Sequence, residues 1–121
     1  MTPPIFKILN SDSAVKALLF KNNILRVFEF GLAPDQPELP YVVWSTVAGT
    51  PANYFATRPD MDSTLIQIDC YGATAAQVKQ VANTVRFAIE TDCYITALRG
   101  TERETDGSYH VGFDASWQVE R

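Results

Sequence analysis

Between Thr64 and Glu90 the chain reads TLIQIDCYGATAAQVKQVANTVRFAIE, and within it one apolar period gives way to another. Ile66, Ile68 and Cys70 alternate with Gln67, Asp69 and Tyr71, the period of a half-buried strand. Val78, Val81, Ala82, Val85, Ala88 and Ile89 then recur at three- and four-residue steps, which draws one apolar face along a helix. Thr74 and Gln77 have capping-box spacing, so the helix start is marked locally. A half-apolar strand running straight into an amphipathic helix commits the chain to a small α+β fold.

The remaining segments extend that plan. Pro3 and Pro4 precede a short helical pattern of Ile5, Ile8 and Leu9, proline being suited to a first turn. Ser or Asp within Asn10 to Ser13 can cap a second set of turns holding Val15, Leu18 and Leu19. Asn22-Asn23 is expected to end that helix, because asparagine tolerates the left-handed conformation. Ile24 to Phe30 reads as a first strand, and Tyr41 to Ala48 as a second that starts after Pro40. The third strand and the main helix follow a loop from Gly49 to Ser63. Cys93 to Glu102 and Tyr109 to Val119 close the chain as strands four and five, joined by a hairpin turned at Asp106-Gly107. The predicted fold is one α+β domain over residues 1–121. It is a mostly antiparallel sheet of about four to five strands, with two helical segments packed on one face.

Several functions are disfavoured at once. The net charge of −4, with lysines and arginines scattered singly, argues against a protein that grips nucleic acid through its phosphates. Neither a signal peptide nor a membrane-spanning stretch is read, so no membrane partner is expected. The two cysteines, Cys70 and Cys93, read as small buried apolar residues. With one histidine and no C-x-x-C pair, a zinc site lacks ligands, and no metal or cofactor is expected. A glycine-rich phosphate loop and a credible nucleophile-base pair are both missing from the pattern, so the chain is not read as an enzyme.

The order of elements, together with LPYVVW, STLIQIDCYG, AAQVKQVANTVRFAIE and the closing FDASWQV, resembles the tail terminator (tail completion) proteins of long-tailed phages. The resemblance runs from PPIFKILNSDSAVKALL to the last strand. It implies a structural virion protein, assembled in the host cytoplasm, that forms a six-subunit ring on the head-proximal end of the tail tube. Such a ring stops tube growth and presents a joining surface to the head connector, while DNA passes the lumen only transiently. Two alternatives stay open: another neck or tube protein of the same plan, and a small dimeric ligand-binding or regulatory domain.

Candidate contact residues fall into three groups. Tyr54 and Phe55, with Arg58 and Asp60, sit in a long polar loop, and aromatics with arginine are enriched at energetic centres of interfaces. They either pack on their own domain or meet a partner. Gln67 and Asp69 alternate out of the core on one strand, as do Asp114, Ser116 and Gln118 on another. If those strands are neighbours they share a polar face, which is ordinary solvated surface or a ring's inter-subunit or lumenal face. Arg99, Arg103, Glu104 and Asp106 give the last hairpin mixed charge, which is either solvated or used to set register between subunits. His110 is read as a surface residue on the polar side. A Ser108-His110-Asp114 triad is rejected, since residues two apart on a strand stand in a row and do not converge.

Overall fold

The computed structural model describes residues 3–35, 37–51 and 61–120. Its elements are α1 (Ile5–Asn10), α2 (Ser13–Leu19), β1 (Phe20–Lys21), β2 (Ile24–Leu25), β3 (Val27–Glu29), β4 (Tyr41–Pro51), β5 (Met61–Gly72), α3 (Ala75–Ile89), β6 (Tyr94–Arg103) and β7 (Tyr109–Glu120). The main sheet has the order β3-β4-β5-β7-β6, and β1 and β2 form a separate hairpin. All its pairings are antiparallel except β3 with β4.

The switch of period between Thr64 and Glu90 is realised as β5 and α3. The Thr74 hydroxyl accepts from the Gln77 amide at 3.1 Å, and the Gln77 side chain accepts from the Ala73 amide at 2.7 Å. Two amide donors at the helix entrance are thereby satisfied. Gly72 lets the end of β5 run close under the helix, since a Cβ there would lie 2.9 Å from the Val78 nitrogen.

Val78, Val81, Val85 and Ile89 of α3 are fully buried against Ile66, Ile68 and Cys70 of β5 and Phe113 and Ala115 of β7. Trp44 and Val42 of β4 extend the same layer, and α1 and α2 pack on α3 through Ile5, Leu9, Val15 and Leu19. Each such side chain contributes about 1.5–3 kcal/mol on leaving water, so this one-sided core holds the sheet. The helices thus cover one face of the sheet and leave the other open.

Three expectations are revised. Asn22-Asn23 does not end a helix: α2 stops at Leu19, and the two asparagines, at φ 54° and 63°, turn the β1–β2 hairpin. Positive φ at both central residues is what a twisted two-residue hairpin requires. The first predicted strand, Ile24 to Phe30, is divided between β2 and β3, which belong to different sheets. Its second part runs parallel to β4, pairing Val27 with Val42. Finally, the predicted loop from Gly49 to Ser63 is shorter, because β4 continues to Pro51 and β5 begins at Met61. Residues 52–60 lie outside the described residues, and Tyr54, Phe55, Arg58 and Asp60 with them.

Candidate functional site

Strands β5 and β7 are neighbours, so their polar residues do meet on the open face. Register places Gln67 opposite Asp114, Asp69 opposite Gly112 and Tyr71 opposite His110. From the far side, β6 places Arg99 opposite Gly112. Gly112 has no side chain, and Arg99 uses the space to cross β7. Its Nη2 donates to Asp69 Oδ1 at 3.0 Å and to the Ile68 carbonyl at 3.3 Å, and its Nη1 donates to Asp114. A Cβ at position 112 would collide with the Arg99 guanidinium and lie 2.7 Å from Asp69 Oδ1. Gly112 is therefore the opening through which the cation reaches both carboxylates.

Asp69 is the hub. Besides Arg99 it accepts from Gln67 Nε2 at 3.1 Å and sits 2.8 Å from His110 Nε2. The other ring nitrogen of His110 lies 3.2 Å from Glu104 Oε1. Burial tends to lower the Arg99 pKa, but the hydrogen-bonded carboxylates of Asp114 and Asp69 carry it above its ordinary value. His110 is on the polar side, as expected, yet it is half-buried with a carboxylate beside each ring nitrogen.

A row of rings runs across three strands beside this hub. Tyr41 stacks on Tyr71 with centroids 4.7 Å apart, and Tyr71 stacks on His110 at the same separation. Burial first, then Asp69, Tyr41 and Glu104, push the Tyr71 phenol up to about 12. Tyr41 is raised by burial and by Asp106 and Glu104, which places the acidic hairpin tip near the ring row.

The other hairpin residues serve the turn. Asp106 accepts from the Ser108 amide at 2.9 Å and its hydroxyl at 2.7 Å, and these bonds lower its pKa. The Arg103 guanidinium lies 5.9 Å from the Tyr109 ring centre. The structure thus joins Gln67, Asp69, Arg99, Glu104 and Asp114 into one network and leaves Arg103 and Asp106 outside it. The sequence reading passed over Gly112, although a glycine interrupting a strand marks a close approach.

This arrangement is unsuited to acid-base work. Asp69 and Asp114 both accept from one guanidinium, and the Ser108 hydroxyl is given to Asp106 and not to His110. Glu102, Glu104 and His110 bring ligand atoms within 4.8 Å of one another, the one set among the described residues with metal-binding spacing. No described helix is long and apolar enough to cross a membrane.

Residues 3–120 match the family model described as tail completion protein gp17. The chain belongs to this family. It is accordingly a structural protein of the phage tail and a component of the virion. A chain from the virion of a native gene transfer agent particle shares its fold with a TM-score of 0.69. That match has 17% identity and covers 97% of this chain and 92% of the other. The bacteriophage SPP1 gp17 protein superposes with a TM-score of 0.57 and 16% identity, over 95% of this chain and 85% of its own. At such identities the likeness is one of fold. No curated protein matches the sequence.

Proposed function

We propose that this chain caps the head-proximal end of the tail tube as a homohexameric ring, ends tube polymerisation and forms the surface that joins the head. Membership of the tail completion family supports the reading, and the open sheet face is the observation that carries it. That face is polar and bonded within itself, with Arg99, Asp69, His110, Glu104 and Asp114 already holding one another. A wall whose donors and acceptors are occupied is stiff and adheres weakly. Its carboxylates outnumber its cations, so it repels phosphates. Those are the properties of a lumen through which DNA slides without sticking.

In this reading the tail tube protein lies on one side of the ring and the head connector on the other, and the chain has no catalytic duty. The loop carrying Tyr54, Phe55, Arg58 and Asp60 is the proposed contact with one of them. Light scattering of the protein alone and with polymerised tube protein tests the reading, followed by negative-stain imaging. Six-fold rings, or density capping one end of each tube, are expected. A stable dimer indifferent to tubes overturns it and favours a ligand-binding domain.

A further inference from the structure

The imidazole of His110 stands between two carboxylates, and a neutral ring cannot satisfy both. Its Nε2 lies 2.8 Å from Asp69 Oδ1 and its Nδ1 lies 3.2 Å from Glu104 Oε1. A neutral imidazole has a single N–H and donates through one nitrogen only. The shorter contact suits donation from Nε2 to Asp69, which leaves the bare Nδ1 lone pair facing a carboxylate oxygen. Two acceptors so placed repel unless a positive species lies between them. A proton on Nδ1 is one such species and a metal ion is the other.

The backbone brings a third ligand to the Nδ1 side. Glu102 on β6 pairs directly with His110 on β7, so their side chains leave the sheet on the same face. Glu104 follows two residues later and is held by its backbone: its amide donates to the Ser108 carbonyl at 2.8 Å, and its carbonyl accepts from the Gly107 amide at 3.0 Å. Arg103, between the two glutamates, lies by the Tyr109 ring. The ligand atoms of Glu102, Glu104 and His110 are all within 4.8 Å of one another. Ligands bonded to one ion at about 2.0–2.2 Å stand about 2.8–3.6 Å apart at octahedral to tetrahedral angles. The 3.2 Å between His110 Nδ1 and Glu104 Oε1 falls inside that range. Glu102 is exposed and free to swing inward.

Asp69 completes the arrangement from behind. A histidine that binds a metal through one nitrogen commonly donates from the other to a carboxylate, which fixes the ring and raises its basicity. Asp69 occupies that position and is itself held by Gln67 and Arg99. On this face Asp69, Asp114, Glu102 and Glu104 are gathered near the single guanidinium of Arg99. A divalent ion relieves that excess of negative charge without reversing its sign.

We propose that His110 Nδ1, Glu104 and Glu102 bind one divalent transition cation, with water in the remaining positions. One imidazole with two carboxylates favours zinc over magnesium or calcium, which prefer oxygen alone. The ion ties the β6–β7 hairpin end to β5 through the bond from His110 to Asp69. The sequence reading counted thiols and imidazoles and so found too few zinc ligands; the pairing of β6 with β7 supplies two glutamates.

Calorimetric titration of untagged protein with zinc chloride tests the site, in a Cys93→Ser background that removes the half-exposed thiol as a competing ligand. One ion per chain is expected, with affinity lowered about tenfold or more by Glu102→Gln and by Glu104→Gln. Glu102→Gln changes an exposed side chain and should leave the fold intact. His110 is the only histidine, so nitrogen-proton correlation spectra report on its ring without assignment. Zinc should shift Nδ1 while Nε2 keeps its proton. Absence of zinc binding, with protons on both ring nitrogens, overturns the proposal and assigns the contact to an imidazolium. Zinc that binds both variants as tightly as their parent, or leaves the histidine resonances in place, lies elsewhere and also overturns it. The site stands or falls independently of ring assembly.

Discussion

At Gly112 a missing side chain makes room for a charged one, and the open face depends on that exchange. Arg99→Ala leaves Asp69 and Asp114 without their shared cation at side-chain exposures of 15% and 23%. The expected loss is about 1–3 kcal/mol in urea unfolding, the range for a half-buried polar group left unpaired. Gly112→Ala should cost a similar amount by displacing the guanidinium, because the atoms met by the new methyl belong to movable side-chain ends. The double variant should then cost little more than either single, since both remove the same contact; full additivity would contradict the bridge. Tyr71 provides a pH signature. Its phenol is raised to about 12, so the folded state holds that proton more tightly than the unfolded chain, where tyrosine titrates near about 10. Its stabilising contribution is complete below pH about 10 and is lost as pH rises towards 12. Tyr71→Phe should flatten that part of the alkaline stability curve, measured by denaturant midpoint against pH. The cysteines divide in the same manner. Burial, with Asp92 and Glu90, pushes the Cys93 thiol up to about 11, and burial pushes Cys70 higher still. A disulfide reagent at pH 8 should label Cys93 slowly and Cys70 only on unfolding; fast labelling of both would contradict this packing.

Single elements can be tested by their ends. Thr74→Ala removes the hydroxyl that caps α3 and should cost about 1 kcal/mol in thermal or urea unfolding. Asn23→Gly should instead raise stability by a few tenths to about 1 kcal/mol, because position 23 has φ 63° and glycine adopts it without strain. A loss at Asn23→Gly would mean that its side chain, not its backbone, holds the turn. The asparagine pair shows where sequence reading stops. Its left-handed conformation was legible from residue type, but its element was not, since β1 and β2 are two residues each and too short to display a period. The parallel pairing of β3 was hidden for a related reason: side-chain alternation is the same for either strand direction. On β5 and β7 alternation is long and clean, so Gln67, Asp69 and Asp114 could be placed on the polar sides of their strands, while their sharing one face awaited the pairing of β5 with β7. The crossing of Arg99 could not be. It needs the register shift between Arg99 and Glu102 as well as Gly112 across the strand, and both arise from pairing rather than local pattern. The exposure of Tyr94 and Leu98 has no local signal either, because they sit in a strand-like run and only sheet order reveals that β6 is an edge.

For the whole molecule, the balance of charges sets how copies approach. Each chain carries −4, so assembling several sums like charges and opposes association at long range. Apolar contact acts oppositely at short range, since Tyr94 and Leu98 on β6 are exposed. Salt separates these effects by distance. With a Debye length of about 8 Å at physiological ionic strength, repulsion between whole subunits is screened first, while contact pairs and buried apolar area are screened much less. Ring assembly should therefore strengthen as salt rises from about 10 mM to about 150 mM and then level off or fall slightly. Sedimentation velocity across that range, at fixed protein and with tube protein present, gives the curve. A monotonic fall from the lowest salt would mean that complementary charges dominate from the start, with the apolar contact around Tyr94 and Leu98 secondary. A continued rise to molar salt would mean the reverse: apolar burial carries the joint.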